Sequence, residues 1–294
     1  MNILTENTSE EKTLKSISCF FKEYSVDRPL KKANAYKRKG IPIAGVFIYL
    51  VQLVFTKKSM NILTDTHNAG FAKDVVYRLM NSSFINWSSF LLSLAACVIN
   101  SKIENLTFSD DTLYSRSRSN NVELLTKVYD HFSKAIYRYK KGFQQLTLVW
   151  SDGVTLIPLL FRHMSSEKKK NRYNEIKSDI DKRSCGYKAR LQALSTKPKV
   201  LLGMLGQVSK VGVPAKHVLF DSWFSYPATI IEIAKLNFKV VARVKNTPKI
   251  KYLLNGDNKT LSQIYGSAKK RRGKSKYFFK ITIDLNIKVQ SVYY

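Results

Sequence analysis

Cysteine is scarce in this sequence. Cys19, Cys97 and Cys185 stand far apart, and no Cys-x-x-Cys or His-x-x-His pair occurs. The spacing argues against a zinc site and implies no disulfide framework, so a reducing, cytoplasmic interior suits the chain. A secretion signal is also missing. The opening MNILTENTSEEKTLKS is polar and acidic, without the basic-then-apolar order of a signal peptide. No apolar run has comfortable membrane-spanning length. The most apolar stretch, Ile41 to Phe55 (IPIAGVFIYLVQLVF), is too short and carries Gln52. It reads as a buried helix or part of one, and no membrane partner is expected.

Acidic residues are few as well, and here the scarcity becomes a positive signal. Fifty Lys and Arg face twenty-one Asp and Glu, a formal charge of +29 with a pI near 10.0. A surface this basic is suited to a phosphate backbone, which it binds by releasing condensed counterions. The competing explanation is a merely soluble, Lys-rich protein from an A/T-rich genome, which the many Asn, Lys and Ile residues also fit. Polyanion binding is preferred because self-repulsion on this scale is costly without an anionic partner. With 294 residues, 44% of them hydrophobic, the chain can bury a sizeable core in one large domain or two.

The organisation changes near residue 103. Residues 1–102 read as helical. Thr8 and Glu11 have capping-box spacing before LKSISCFFKEY. A basic connector around KKANAYKRKG precedes an apolar helix near Val46 to Phe55, a helix near Phe71 to Met80, and INWSSFLLSLAACVINSKI. A helix-turn-helix presenting Lys73 and Arg78 would suit DNA docking, although plain helical packing explains the same pattern.

Residues 103–247 alternate strand and helix. Leu106 to Ser109 is a strand, followed by a mixed segment around VELLTKVYDHF. QQLTLVWSDGVTLIPLLFRHM is a hairpin turning at Asp152-Gly153. Gly186 to Gly212 forms one or two helices interrupted near Pro198. His217 to Phe220 is a strand, Tyr226 to Leu236 a helix, and KVVARV a further strand. Such alternation favours parallel pairing, so the first strand and the His217 strand should lie side by side. Residues 248–294 are β-rich and basic.

Two adjacent acids, Asp110 and Asp111, follow the first strand, and Asp221 follows the His217 strand. Carboxylates meeting at the ends of neighbouring strands make a hard, oxygen-rich site suited to Mg²⁺. Two divalent ions can activate water, align a phosphodiester and neutralise the leaving oxygen. Alternation alone does not decide which of Asp110 and Asp111 faces such a site. Turn or cap roles are the alternative for Asp110-Asp111, and an N-cap role for Asp221. Arg116 and Arg118 stand where they would touch phosphates. Lys168, Lys169, Lys170 and Arg172 form one candidate phosphate loop, and Lys269, Lys270, Arg271 and Arg272 a second; solvated charged faces are the alternative. Turn chemistry accounts for Asp152. Trp223 and Phe224 could stack on an unpaired base, but buried packing is the commoner role and is expected for both. The four histidines are scattered and receive no role.

Four longer stretches carry a resemblance: FSDDTLYSRSRSNNVELLTKVYDH, KGFQQLTLVWSDG, KKNRYNEIKSDIDKRSCGYKARLQALS and HVLFDSWFSYPATI. They resemble bacterial insertion-sequence DDE transposases of the insertion sequence four family. The similarity extends over nearly the whole chain and includes YRLMNSSFINWSSFLL. It implies an α/β, RNase H-like mixed-sheet core over 103–247, an N-terminal all-helical DNA-binding region over 1–102, and the start of a β-rich insertion over 248–294. It also implies metal-dependent (Mg²⁺ or Mn²⁺) cutting and joining of DNA at transposon ends. The partners would be terminal inverted repeats and target DNA, engaged by a homodimer in a synaptic complex on the bacterial nucleoid.

In that family the first catalytic Asp directly precedes Thr, which here is Asp111; the second opens a motif like FDSWF, which here is Asp221. Both would be metal ligands. The family's third acid is a Glu in a late helix beside Tyr, Arg and Lys at fixed spacing. No such motif is found here, and Glu232 follows Asp221 too soon to serve. The expectation is therefore a truncated or pseudogene-like transposase with little or no cleavage activity of its own. A non-catalytic, transposase-derived DNA-binding protein is the second reading, and a host nuclease on the same core the third.

Overall fold

The computed structural model describes the backbone of residues 3–57, 60, 70–99, 106–130, 138–267, 280–284 and 289–293, and the side chains of 10–57, 60, 70–99, 112–130 and 138–267. The chain divides into two compact units, each built from three separate segments. One comprises Met1–Lys102, Thr112–Leu146 and Ile157–Ser195; the other comprises Ile103–Asp111, Thr147–Leu156 and Thr196–Tyr294.

The first unit opens with helices α1 (Ile3–Glu23), α2 (Asp27–Lys32), α3 (Ile43–Thr56), α4 (Lys73–Met80) and α5 (Trp87–Val98). Their apolar faces converge on Leu30, Val46, Val76, Leu79 and Phe90. Phe47 joins this cluster, stacking on Trp87 and meeting Phe90 edge-on at 5.0 Å. Local chemistry sets the ends. Pro42 enters α3 in an extended conformation and Lys57 closes it at φ 56°. Asn86 caps α5 by accepting the Ser89 amide at 3.0 Å. Two sequence expectations need correcting. Thr8 and Glu11 lie inside α1, so their spacing does not mark its start. The apolar helix α3 is buried on one side only, because Val54 and Phe55 near its end are exposed. No helix among the described residues is long and apolar enough to cross a membrane.

The strands follow as β1 (Leu106–Ser115), β2 (Thr126–Tyr129), β3 (Tyr139–Ser151), β4 (Leu156–Met164), β5 (His217–Phe220) and β6 (Lys239–Ala242). They form a mixed sheet in the order β2-β3-β1-β5-β6, with β4 also beside β3. β2 runs antiparallel to β3, whereas β1, β5 and β6 run parallel to one another. The β3–β4 hairpin turns where expected. Gly153 takes φ 93° there, and Asp152 accepts the amides of Val154 and Thr155 at 3.0 and 2.6 Å.

Strand β1 departs from expectation. It does not stop at Ser109 but continues through both aspartates to Ser115. Its position between β3 and β5 provides partners that local sequence does not reveal, and just past its end the Arg116 amide donates to the Lys141 carbonyl at 2.8 Å. Sheet pairing overrides the turn preference of Asp-Asp.

The parallel strands need crossovers, and helices provide them. Helices α6 (Cys185–Ala193) and α7 (Lys197–Val211) precede β5, and α8 (Pro227–Lys235) joins β5 to β6. Pro198 sits in the first turn of α7, where its missing amide costs no hydrogen bond. After β6 come β7 (Tyr252–Leu254), β8 (Asp257–Lys259), α9 (Leu261–Ser267), β9 (Lys280–Asp284) and β10 (Val289–Tyr293). The four strands form an antiparallel sheet in the order β10-β9-β7-β8. Asn255 and Gly256, at φ 53° and 85°, turn β7 into β8, as Asn-Gly does in tight hairpins.

Candidate acidic centre and its basic surroundings

The pairing of β1 with β5 governs the site. Leu106, Thr107, Phe108 and Ser109 stand opposite His217, Val218, Leu219 and Phe220, in parallel. Beyond the last matched pair, Asp110 and Asp111 continue β1 while Asp221 leaves β5. The three backbone positions therefore lie just past the paired stretch, midway along β1 and at the end of β5, although more than a hundred residues separate Asp111 from Asp221 in sequence. The side chains of Asp110 and Asp111 lie outside the described residues. Asp221 is exposed. It also serves as the N-cap of the turn Ser222–Phe224, where its Oδ1 accepts the Ser222 amide. Capping and ligation are compatible, since a carboxylate has two oxygens and about four lone-pair sites. Oxygen donors of this type fit Mg²⁺ or Mn²⁺. Among the described residues no group of three or more His, Cys, Asp or Glu forms a metal cluster.

Behind Asp221 the chain is tightly held. Phe224 is 1% exposed and packs edge-on to Phe220. The buried Ser225 hydroxyl lies 3.0 Å from the Ser222 carbonyl and 2.8 Å from that of Arg243, tying the turn to the chain just after β6. Trp223 differs from its neighbour. It is 48% exposed, which corrects the expectation that both aromatics are buried. Alternation within a single turn separates the roles: one ring anchors the turn while the next faces water. The Lys197 and Lys245 ammoniums lie 4.8 and 5.6 Å from the Trp223 ring centre, and Lys245 lies 4.0 Å from that of Tyr226. Nothing in the local sequence marks Lys197, Tyr226 or Lys245. Only the fold brings the start of α7 and the chain after β6 to this turn.

The predicted phosphate-binding residues separate into groups. Arg116 and Arg118 are exposed just after β1, with the Arg116 guanidinium 5.6 Å from the Tyr114 ring centre. Lys168, Lys169 and Lys170 are exposed in a short turn. Arg172 is engaged differently. Its side chain is 9% exposed and pairs with Glu175 at 2.8 Å, and it donates to the carbonyls of Ser166 and Glu167. It organises the loop that presents the three lysines. Lys269, Lys270, Arg271 and Arg272 lie outside the described residues.

His163 was assigned no role from sequence. Its ring stacks on Tyr114 at 4.9 Å and lies near Phe143 and Phe161. Burial first, and the Arg116 charge second, hold its imidazole below the ordinary value. The turn residue Asp152 has its carboxyl held low by the Thr155 and Val154 amides. That is turn chemistry, as expected.

A mixed sheet with parallel central strands, helical crossovers and acids just past the β1–β5 pairing defines an α/β protein. The chain belongs to the DDE superfamily endonucleases, whose family model matches residues 46–271, and its core is accordingly RNase H-like. Comparison with curated proteins finds no match. Among solved structures, the Drosophila P element transposase strand transfer complex aligns at 10% identity with a TM-score of 0.38. That alignment covers 81% of this chain, which spans about half (51%) of the transposase chain.

Proposed function

We propose that this chain is a DNA transposase of the insertion sequence four type, acting on transposon ends, with Asp111 and Asp221 as ligands for a divalent ion. The reading rests on one observation: β1 and β5 pair in parallel, so that both acids follow the paired stretch of adjacent strands in a member of the DDE superfamily endonucleases. Bound there, Mg²⁺ or Mn²⁺ would activate water and stabilise charge on a phosphodiester. The chain's own residues would hold and orient. The Ser222 amide fixes the Asp221 carboxylate. Arg116, Arg118 and Lys168 to Lys170 would grip backbone phosphates, and Lys73 and Arg78 on α4 would do so from the helical region. The partners are transposon terminal inverted repeats and target DNA.

The test is direct metal binding, which does not depend on a third acid. In calorimetric titration with Mn²⁺, Asp111→Asn and Asp221→Asn should each weaken binding at least tenfold while duplex-DNA affinity changes little. Unchanged Mn²⁺ affinity in both variants would overturn the proposal. The cap made by Asp221 favours one other reading, a transposase-derived DNA-binding protein without cleavage. Sequence-specific DNA binding that ignores divalent ions and survives Asp111→Ala would support it.

A further inference from the structure

We infer that the exposed face of Trp223, with Tyr226 and the flanking Lys197 and Lys245, is a binding site for an unpaired nucleotide of a DNA strand. The inference deepens the transposase reading and rests on it, because Trp223 lies two residues from Asp221. A large indole left half in water is uncommon beside a well-packed turn, and here the packing role is already filled by Phe224. Ser225 anchors the same turn through the carbonyls of Ser222 and Arg243. Trp223 is thus held in place while about half of it stays open to solvent. Two ammoniums lie within cation–π range of its ring, and Lys245 also donates to the Tyr226 hydroxyl at 2.7 Å. Aromatic faces beside lysines provide what a single strand requires: π-surfaces for bases and positive charge for the adjoining phosphates. A paired duplex offers only its phosphates to such a patch, because its bases are already stacked. The site should therefore distinguish strands by whether a base is free. An unpaired nucleotide at a DNA end would be retained beside the strand end that carries Asp221.

The test uses the full chain in EDTA and two fluorescein-labelled DNAs, a blunt duplex and the same duplex with a three-thymidine overhang. The wild type should prefer the overhang, and binding should quench tryptophan fluorescence. Trp223→Ala should lower overhang affinity roughly 5- to 100-fold, leave blunt-duplex affinity nearly unchanged and remove most of the quench. Trp223→Phe should retain most of the preference, and circular dichroism should show both variants folded. Equal wild-type affinity for the two DNAs would overturn the inference, as would an overhang preference that survives Trp223→Ala. Because EDTA removes divalent ions, the outcome is independent of the Mn²⁺ titration. Loss of preference in Trp223→Ala alongside unchanged metal binding in the aspartate variants would keep this site and reject the metal centre. The reverse pattern would keep the metal centre and reject this site.

Discussion

At the scale of single residues, close approaches matter more than composition. Gly142 shows this best. A Cβ built on it would stand 2.2 Å from the Tyr114 carbonyl oxygen, a backbone atom that cannot step aside without shifting the end of β1. Gly142→Ala should therefore destabilise the protein by on the order of 2–4 kcal/mol, measurable as a lower urea midpoint at unchanged slope. His163 makes a different prediction. Its Nδ1 is buried without a hydrogen-bond partner, and its pKa is depressed by burial. Below about pH 6.5 the unfolded chain takes up a proton that the folded chain resists, so stability should fall as the pH drops through that range. His163→Phe keeps the stack on Tyr114 and removes the proton site. Its melting temperature should fall less between pH 7 and pH 5.5 than that of the wild type. Neither residue stood out in the sequence, because the neighbours that constrain them come from distant segments.

At the scale of elements, the sequence was most readable where local chemistry and tertiary pairing agree. His217 to Phe220 has alternating burial and matches β5 end for end. The break just before Pro198 separates α6 from α7, and Asp152-Gly153 turns the β3–β4 hairpin. It was least readable in β1, where Asp-Asp-Thr has turn character but its neighbours in the sheet hold it extended. The candidate site was legible as two acids after apolar runs, whereas its aromatic and lysine surroundings were not, since they are assembled from three separated segments. Helix α5 depends on a local device that can be isolated. Asn86→Ala removes the acceptor for the Ser89 amide and should cost about 1 kcal/mol, readable as a modest drop in thermal midpoint. Asn86→Ser should restore most of that loss.

At the scale of the whole molecule, net charge dominates. With a formal +29 over 294 residues, the proposed duplex binding should be driven by counterion release. The logarithm of affinity should fall linearly with the logarithm of salt concentration, losing on the order of 10³-fold or more between 50 and 200 mM if six or more phosphates are engaged. Replacing Lys168, Lys169 and Lys170 together by Gln should flatten that slope without changing sequence preference, because phosphate contacts position but do not specify.

The parallel match of Leu106 with His217 also has a consequence during synthesis. β1 leaves the ribosome long before its neighbour exists. At roughly 5–20 residues per second, several seconds pass in which Asp111 waits without Asp221. Until β5 follows, the half-made chain presents its first basic segment, Lys31 to Lys39, without the neighbour that would complete the candidate acidic centre.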